Sequence, residues 1–284
     1  MDEYRDIRRI SEVIKLIATD MDGTLLNSKG QMPLEFGDVF ERLKEKGVIF
    51  AVASGRQYAT LATNFKQFHD DMLFIAENGT YVVYKGEELA FHPLDKAVAR
   101  QLITKAHSIQ DTYIVVSTKN GAYIENNDPR FLKEVAKYYV KCQYVEDLLE
   151  IEEDILKIAI CDFQGVEKNS YEAFKPFQTK ALICVAGDIW LDMMAIGVNK
   201  GEAIRTIQDK LGFTYEQTMV FGDYLNDYEM LQSAYHSYAM QNAHPRLKEV
   251  ARFIAKSNDD NGVMEKIKEI VVGKEDEKQE NYIS

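Results

Sequence analysis

The chain has 284 residues, 46% hydrophobic and 28% charged, with 34 lysines and arginines against 46 aspartates and glutamates, a formal charge of −12. That balance excludes a wholly disordered or fibrous chain and allows one large domain or two ordinary ones. A surface so acidic repels phosphate polymers, so nucleic acid is not an expected partner, whereas a small anion is admissible where local cations or a metal ion outweigh the global field.

Residues 1–11 are charged rather than apolar, unlike a signal peptide. Val13–Thr19 then reads as a strand ending at Asp20-Met21-Asp22-Gly23. Leu34–Lys46 reads as a helix, with apolar positions at Leu34, Val39, Phe40 and Leu43, lysines in its last turn and Gly47 beyond. Val48–Ala53 is a second strand, ending at Ser54-Gly55-Arg56. Met72–Ala76 is a third, followed by Glu77-Asn78-Gly79. The middle of the chain changes character. A helix over Ala97–Ser108 precedes a strand at Tyr113–Ser117, a turn at Asn120-Gly121, a return strand at Tyr123–Glu125 and a helix over Arg130–Tyr139. Ile155–Phe163 and Leu182–Val185 are further strands. Met219–Phe221 resumes the first pattern and ends at Gly222-Asp223.

This order predicts an α/β protein. A Rossmann-like parallel-sheet core domain is formed by residues 1–87 and 192–284, and an α+β domain is inserted over 88–191. The tail from Gly273 to Ser284, rich in Lys, Glu and Gln, is expected to fray. No apolar run approaches the roughly 20 residues that span a bilayer. Cys142, Cys161 and Cys184 are odd in number and without CxxC spacing, so they are expected to be reduced thiols of a cytoplasmic protein. The five histidines show no HxxxH or HxH spacing, which argues against a zinc site. Trp190 is read as packing or a substrate contact, and Tyr138, Tyr139 and the stretch from Tyr235 to Tyr238 as half-buried aromatics rather than a base-stacking platform.

In a parallel sheet the ligand site lies beyond the carboxyl ends of the strands, and the unusual polar segments all fall there. Asp20 and Asp22, one residue apart after an apolar run, are either a pair that needs a cation between them or a turn with solvated aspartates. Asp223 and Asp227 would be brought together by one helical turn, or they simply begin an Asp-rich helix. Magnesium, which takes hard oxygen ligands and keeps several waters, suits two or three such carboxylates plus a phosphate oxygen. Ser54-Gly55-Arg56 could offer a hydroxyl and N–H groups to an anion, or be a plain turn. Lys200 alone reads as a surface lysine.

Taken together and in this order, Asp20-Met21-Asp22-Gly23-Thr24-Leu25-Leu26, Ala53-Ser54-Gly55-Arg56, Glu77-Asn78-Gly79, Lys200-Gly201, Gly222-Asp223 through Asp227 and Asn258-Asp259-Asp260-Asn261-Gly262-Val263 resemble the haloacid dehalogenase superfamily. Within it, the likeness is to the Cof-like sugar-phosphate phosphatases with a large inserted cap. The resemblance runs from about Lys15 to Val263. It implies Asp20 as nucleophile and magnesium ligand, and Asp22 as general acid/base with its backbone carbonyl on the metal. It implies phosphate binding by the Met21 N–H, Ser54, Gly55, Lys200 and Asn226, and metal binding by Asp223 and Asp227. Where the family has Gly-Asn-Ala, this chain has Gln241-Asn242-Ala243. A small phosphorylated metabolite, first of all a sugar phosphate, is the implied substrate, with Mg2+ as cofactor, no membrane partner, and a monomer or weak homodimer as the assembly.

Among rival readings, a phosphomutase is disfavoured because the insert lies between Ser54 and Lys200 rather than between Asp20 and Ser54. A dehalogenase is disfavoured by Asp22, an acid/base that carbon–halogen displacement does not use. An ion pump is disfavoured by the lack of spans. A non-catalytic phosphate sensor is disfavoured by the full set of catalytic groups.

Overall fold

A computed structural model describes residues 14–272. The readings made of residues 1–11 and 273–284, and the strand's first residue Val13, lie outside the described residues. The first strand, β1 (Leu16–Thr19), has four buried residues in succession, the pattern of a strand covered on both faces. α1 (Phe36–Glu45), β2 (Ile49–Ala53), α2 (Tyr58–Asn64), β3 (Leu73–Ala76), β4 (Tyr81–Tyr84) and β5 (Glu87–Phe91) follow. After the insert come α6 (Lys200–Leu211), β12 (Thr218–Gly222), α7 (Tyr228–Gln232), β13 (His236–Met240), α8 (Pro245–Val250), β14 (Phe253–Ala255) and α9 (Gly262–Ile267).

These strands form one sheet in the order β14-β13-β12-β1-β2-β3-β4-β5. It is parallel from β14 to β3 and antiparallel at β4 and β5. β1 has β2 on one side and β12, about 200 residues away in sequence, on the other. The chain order therefore reverses across β1, and a crevice opens beyond its carboxyl end. α1 buries Phe36, Val39, Phe40 and Leu43, spaced i, i+3, i+4, i+7. The helix begins two residues later than the sequence suggested, and Leu34, read as part of its apolar face, lies before it and is fully exposed.

The insert contains α3 (Lys96–His107), β6 (Thr112–Thr118), β7 (Ala122–Ile124), α4 (Pro129–Tyr138), β8 (Cys142–Tyr144), β9 (Ile155–Asp162), α5 (Ser170–Phe174), β10 (Leu182–Val185) and β11 (Trp190–Met194). Its sheet runs β10-β11-β9-β6-β7-β8. Alternation along the strands gives two faces. Ile114, Val116, Ile158, Ile160, Leu191 and Met193 pack under α3, while Val115, Ala159, Cys161 and Trp190 pack with Phe131 and Val135 of α4. β5 belongs to the core sheet and β11 to the insert's sheet. Sheet membership thus puts β5 on the core side and β11 on the insert's side, within a few residues of the expected edges at 88 and 192. Trp190 stands edge-on to Tyr138 at 5.9 Å and is buried, which makes it part of the packing. No helix among the described residues is long and apolar enough to cross a membrane.

Candidate active site

Asp20 continues the register of β1, its N–H donating to the Phe221 carbonyl of β12 at 3.0 Å. The chain then folds back, with Leu25 N–H on the Asp20 carbonyl and Leu26 N–H on the Met21 carbonyl. Gly23 makes this turn possible. Its φ is +83°, and a Cβ there would lie 2.4 Å from Asp223 Oδ2. Thr24 Oγ1 donates to Asp223 Oδ1 at 2.7 Å, so the turn after β1 grips the carboxylate that follows β12. Asn242 closes the turn from the far side by donating to the Gly23 carbonyl at 2.8 Å. The Gln-Asn-Ala variant therefore keeps its asparagine in contact with the turn after β1.

Lys200 opens α6, whose N-terminus is capped by Asn199. Its side chain is fully buried, with Nζ 2.5 Å from Asp20 Oδ1 and 2.6 Å from Asp227 Oδ1. The second oxygen of Asp227 accepts from the N–H groups of Asp223 and Tyr224 at 3.0 and 3.2 Å. Asp20, Asp223 and Asp227 each offer an oxygen, all within 4.8 Å of one another, a set that could hold a metal ion. All three donors are hard carboxylate oxygens, which fit Mg2+.

Crowding shows in the acidities. Burial, offset by Lys200 and reinforced by the charges of Asp227 and Asp223, raises Asp20 well above the usual carboxylate range. Burial and the Asp227 charge push Asp223 up to about 6. Burial alone would depress Lys200, but Asp20 and Asp227 raise it above its ordinary value.

The carboxylate of Asp22 lies outside this cluster. It forms a forked pair with Arg56, at 2.8 Å from Nε and 2.6 Å from Nη2, and is about half exposed. Met21 is buried. Ser54 follows β2, the strand beside β1, and its Oγ accepts from the Arg56 N–H at 3.2 Å. The Asn78 amide sits against Gly55, where a Cβ would meet it at 3.2 Å. Asn226 donates to Asn78 Oδ1, also at 3.2 Å. The structure thus gathers Asp20, Lys200, Asp223 and Asp227 at one point. It gathers Ser54, Gly55 and Asn226 around Asn78 at the neighbouring strand end, with Asp22 at the rim.

Sequence reasoning gave no role to Thr24, Arg56, Asn78, Asn242, Lys157 or Asp192. The first four lie in or beside motifs it had marked. Lys157 and Asp192 had another signal, each being a charge that interrupts a run of apolar strand residues.

A sequence profile of the haloacid dehalogenase-like hydrolases matches residues 17–267. The chain is 32% identical over 269 residues to the 5-amino-6-(5-phospho-D-ribitylamino)uracil phosphatase YbjI of Escherichia coli (strain K12), covering 91% of this chain and 96% of that one. It is 30% identical to the HMP-PP phosphatase of Klebsiella pneumoniae (strain 342), over 82% and 86% of the two chains. Among solved structures, SMU.1108c of Streptococcus mutans UA159 superposes with a TM-score of 0.83 at 29% identity, covering 92% of this chain and all of that one.

Proposed function

The chain belongs to the haloacid dehalogenase-like hydrolases, and from that premise we propose that it is a Mg2+-dependent phosphatase that hydrolyses phosphate monoesters of small metabolites through an aspartyl-phosphate on Asp20. The observation that carries this reading is the position of Asp20. Its carboxylate stands at the carboxyl end of the central strand, bonded to a buried lysine and flanked by Asp223 and Asp227.

Asp20 and Asp223 would hold the metal directly. Asp227, whose two oxygens already accept from Lys200 and two N–H groups, would reach it through water. Bound there, Mg2+ would offset the negative charge of the carboxylates and the substrate phosphate. An oxygen of Asp20 attacks phosphorus as the ester P–O bond breaks. Asp22, once it leaves its fork with Arg56 and takes a proton from solvent, gives that proton to the departing alkoxide. A water, deprotonated by Asp22, then displaces Asp20 and releases inorganic phosphate. Lys200 offsets charge on Asp20 and the transferring group throughout. Ser54, Gly55, the Met21 N–H and Asn226 orient the phosphate. The inserted domain acts as a cap that reads the leaving group. A sugar or polyol phosphate is the first candidate substrate, a choice supported by the 32% identical relative named for a phosphoribityl compound.

The test is release of phosphate from p-nitrophenyl phosphate and from a panel of sugar, polyol and cofactor phosphates, with Mg2+ and in excess chelator. Turnover with Mg2+ and labelled phosphate trapped on Asp20 are expected. Full activity in chelator, or labelling unaffected by Asp20→Asn, would overturn the proposal.

A further inference from the structure

Glu77-Asn78-Gly79 stood out in the sequence without a role, and in the structure it meets a buried lysine of the cap. Lys157 lies on β9, directly opposite Ser117 of β6 and on the cap face that also carries Asp192. It is 3% exposed. Its Nζ is 2.6 Å from Glu77 Oε2, 3.3 Å from Asp192 Oδ2 and 2.7 Å from the Gly55 carbonyl oxygen, to which it donates. Glu77 and Asp192 are buried as well. This bundle of charge is split across the two domains, with Lys157 and Asp192 from the cap and Glu77 from the core.

Three successive carbonyls of the Ser54 loop are held from this side. The Ser54 carbonyl accepts from Asn78 N–H at 2.9 Å and the Arg56 carbonyl from Glu77 N–H at 3.0 Å. The Gly55 carbonyl between them accepts from Lys157. In a trans peptide the N–H points opposite to the C=O. Holding these oxygens therefore turns the N–H groups of Gly55 and Arg56 the other way, and the Arg56 N–H is found facing the Ser54 hydroxyl. Glu77 and Asn78 both adopt positive φ, +48° and +57°, a conformation that non-glycine residues keep only where their surroundings over-determine it.

Resting on the phosphatase reading, we infer that Lys157 is a positioning residue through which cap docking completes the phosphate cradle. The cap's ammonium fixes the Gly55–Arg56 peptide, whose N–H is that of Arg56 and holds the Ser54 hydroxyl that orients the substrate phosphate. A buried ion pair gains in attraction about what it loses in hydration, so the Glu77–Lys157 pair by itself adds little to the docking of the cap. A phosphate bound in the completed cradle favours the docked arrangement.

The test is calorimetric titration of the Mg2+-loaded protein with inorganic phosphate, paired with thermal melts. Lys157→Met should weaken phosphate binding about 10- to 100-fold, the range expected for one lost charge-assisted hydrogen bond, and Lys157→Arg should recover part of it. Lys157→Met alone strands two buried carboxylates and lowers the melting temperature. The triple variant Lys157→Met, Glu77→Gln, Asp192→Asn carries no unpaired buried charge there, so it should melt close to the wild type and still bind phosphate at least tenfold more weakly. Wild-type affinity in the triple variant would overturn the inference, since Lys157 would then serve only to neutralise Glu77. Failure of the wild-type protein to bind phosphate would instead overturn the functional reading beneath it.

Discussion

Lys200→Met tests the centre of the site most directly. The substitution keeps the length of the aliphatic stem and removes an ammonium that is fully buried and bonded at 2.5 and 2.6 Å to Asp20 and Asp227. Breaking a buried ion pair by removing one partner costs about 3–5 kcal/mol, because a charge is left without compensation. Here two carboxylates lose their partner at once. Part of that cost will be relieved by proton uptake on Asp20, whose acidity is already weakened by burial. In chelator the variant should melt on the order of 10 °C lower, at roughly 2–4 °C per kcal/mol for a protein of this size. Saturating Mg2+ should recover much of the deficit, because a divalent cation among Asp20, Asp223 and Asp227 returns the missing positive charge. Activity should not recover, and kcat should fall by about 10²–10³ through loss of a fixed charge that stabilises the transferring group. Urea or thermal unfolding with and without Mg2+, beside p-nitrophenyl phosphate turnover, separates the two effects. A variant within 1 kcal/mol of wild type in chelator, or one with an unchanged rate, would refute the reasoning.

Asp20→Asn should abolish covalent labelling. Asp22→Asn, losing acid/base help worth roughly 10²–10⁴-fold per assisted step, should give a burst of about one equivalent of nitrophenolate and retain phosphate on Asp20; slow turnover with neither burst nor label would refute that division of roles. Gly23→Ala would set a Cβ 2.4 Å from Asp223 Oδ2 at a φ of +83°, so Mg2+ affinity should fall at least tenfold, and unchanged affinity by calorimetry would show that the two turns need not touch. Burial and Asp227 raise Asp223 from 3.8 to about 6, so metal-free folding takes up a proton between those values and stability falls as pH rises through that window, by up to about 3 kcal/mol. The difference between wild type and Asp223→Asn in urea unfolding, measured across it without Mg2+, should show this slope, and saturating Mg2+ should flatten it; a flat difference without metal would refute the assignment.

Most of the candidate site could be read from the sequence because its parts are local. Asp-Met-Asp-Gly after an apolar run and Gly-Asp followed by Asn-Asp mark strand ends whatever else the chain does, and both turns lie beyond adjacent parallel strands. Lys200 is the opposite case. A lysine at the first turn of a helix is normally solvated, and only the fold, which sets the start of α6 beside Asp20 and Asp227, turns it into a fully buried cation. The edges of the insert are harder to read for the same reason. β5 and β11 have strand patterns that fit either sheet, and pairing with β4 or with β9 and β10 is decided by partners distant in sequence. Lys157 and Asp192 interrupt apolar strands, which signals burial with a partner but cannot say that the partner is Glu77, some 80 positions away and in the other domain.

The charges at the site close into a consistent account. Asp20, Asp223 and Asp227 against Lys200 leave two negative charges when all are ionised, and one divalent cation cancels them. Asp22 adds nothing to that sum, because Arg56 neutralises it at the rim. A phosphate arriving over a neutralised site meets no net repulsion from the core, and what it needs is hydrogen-bond donors rather than further cations. Those donors include backbone N–H groups, whose direction depends on how the carbonyls on the other side of each peptide are held. In this chain the carbonyls of Ser54 and Arg56 are held by the core and that of Gly55 by the cap. The domain proposed to read the leaving group therefore also helps to shape the seat of the phosphate. On these grounds, substitutions in the cap near Lys157 should alter phosphate affinity for every substrate alike, and those elsewhere on the cap's inner face should alter only the ranking among substrates.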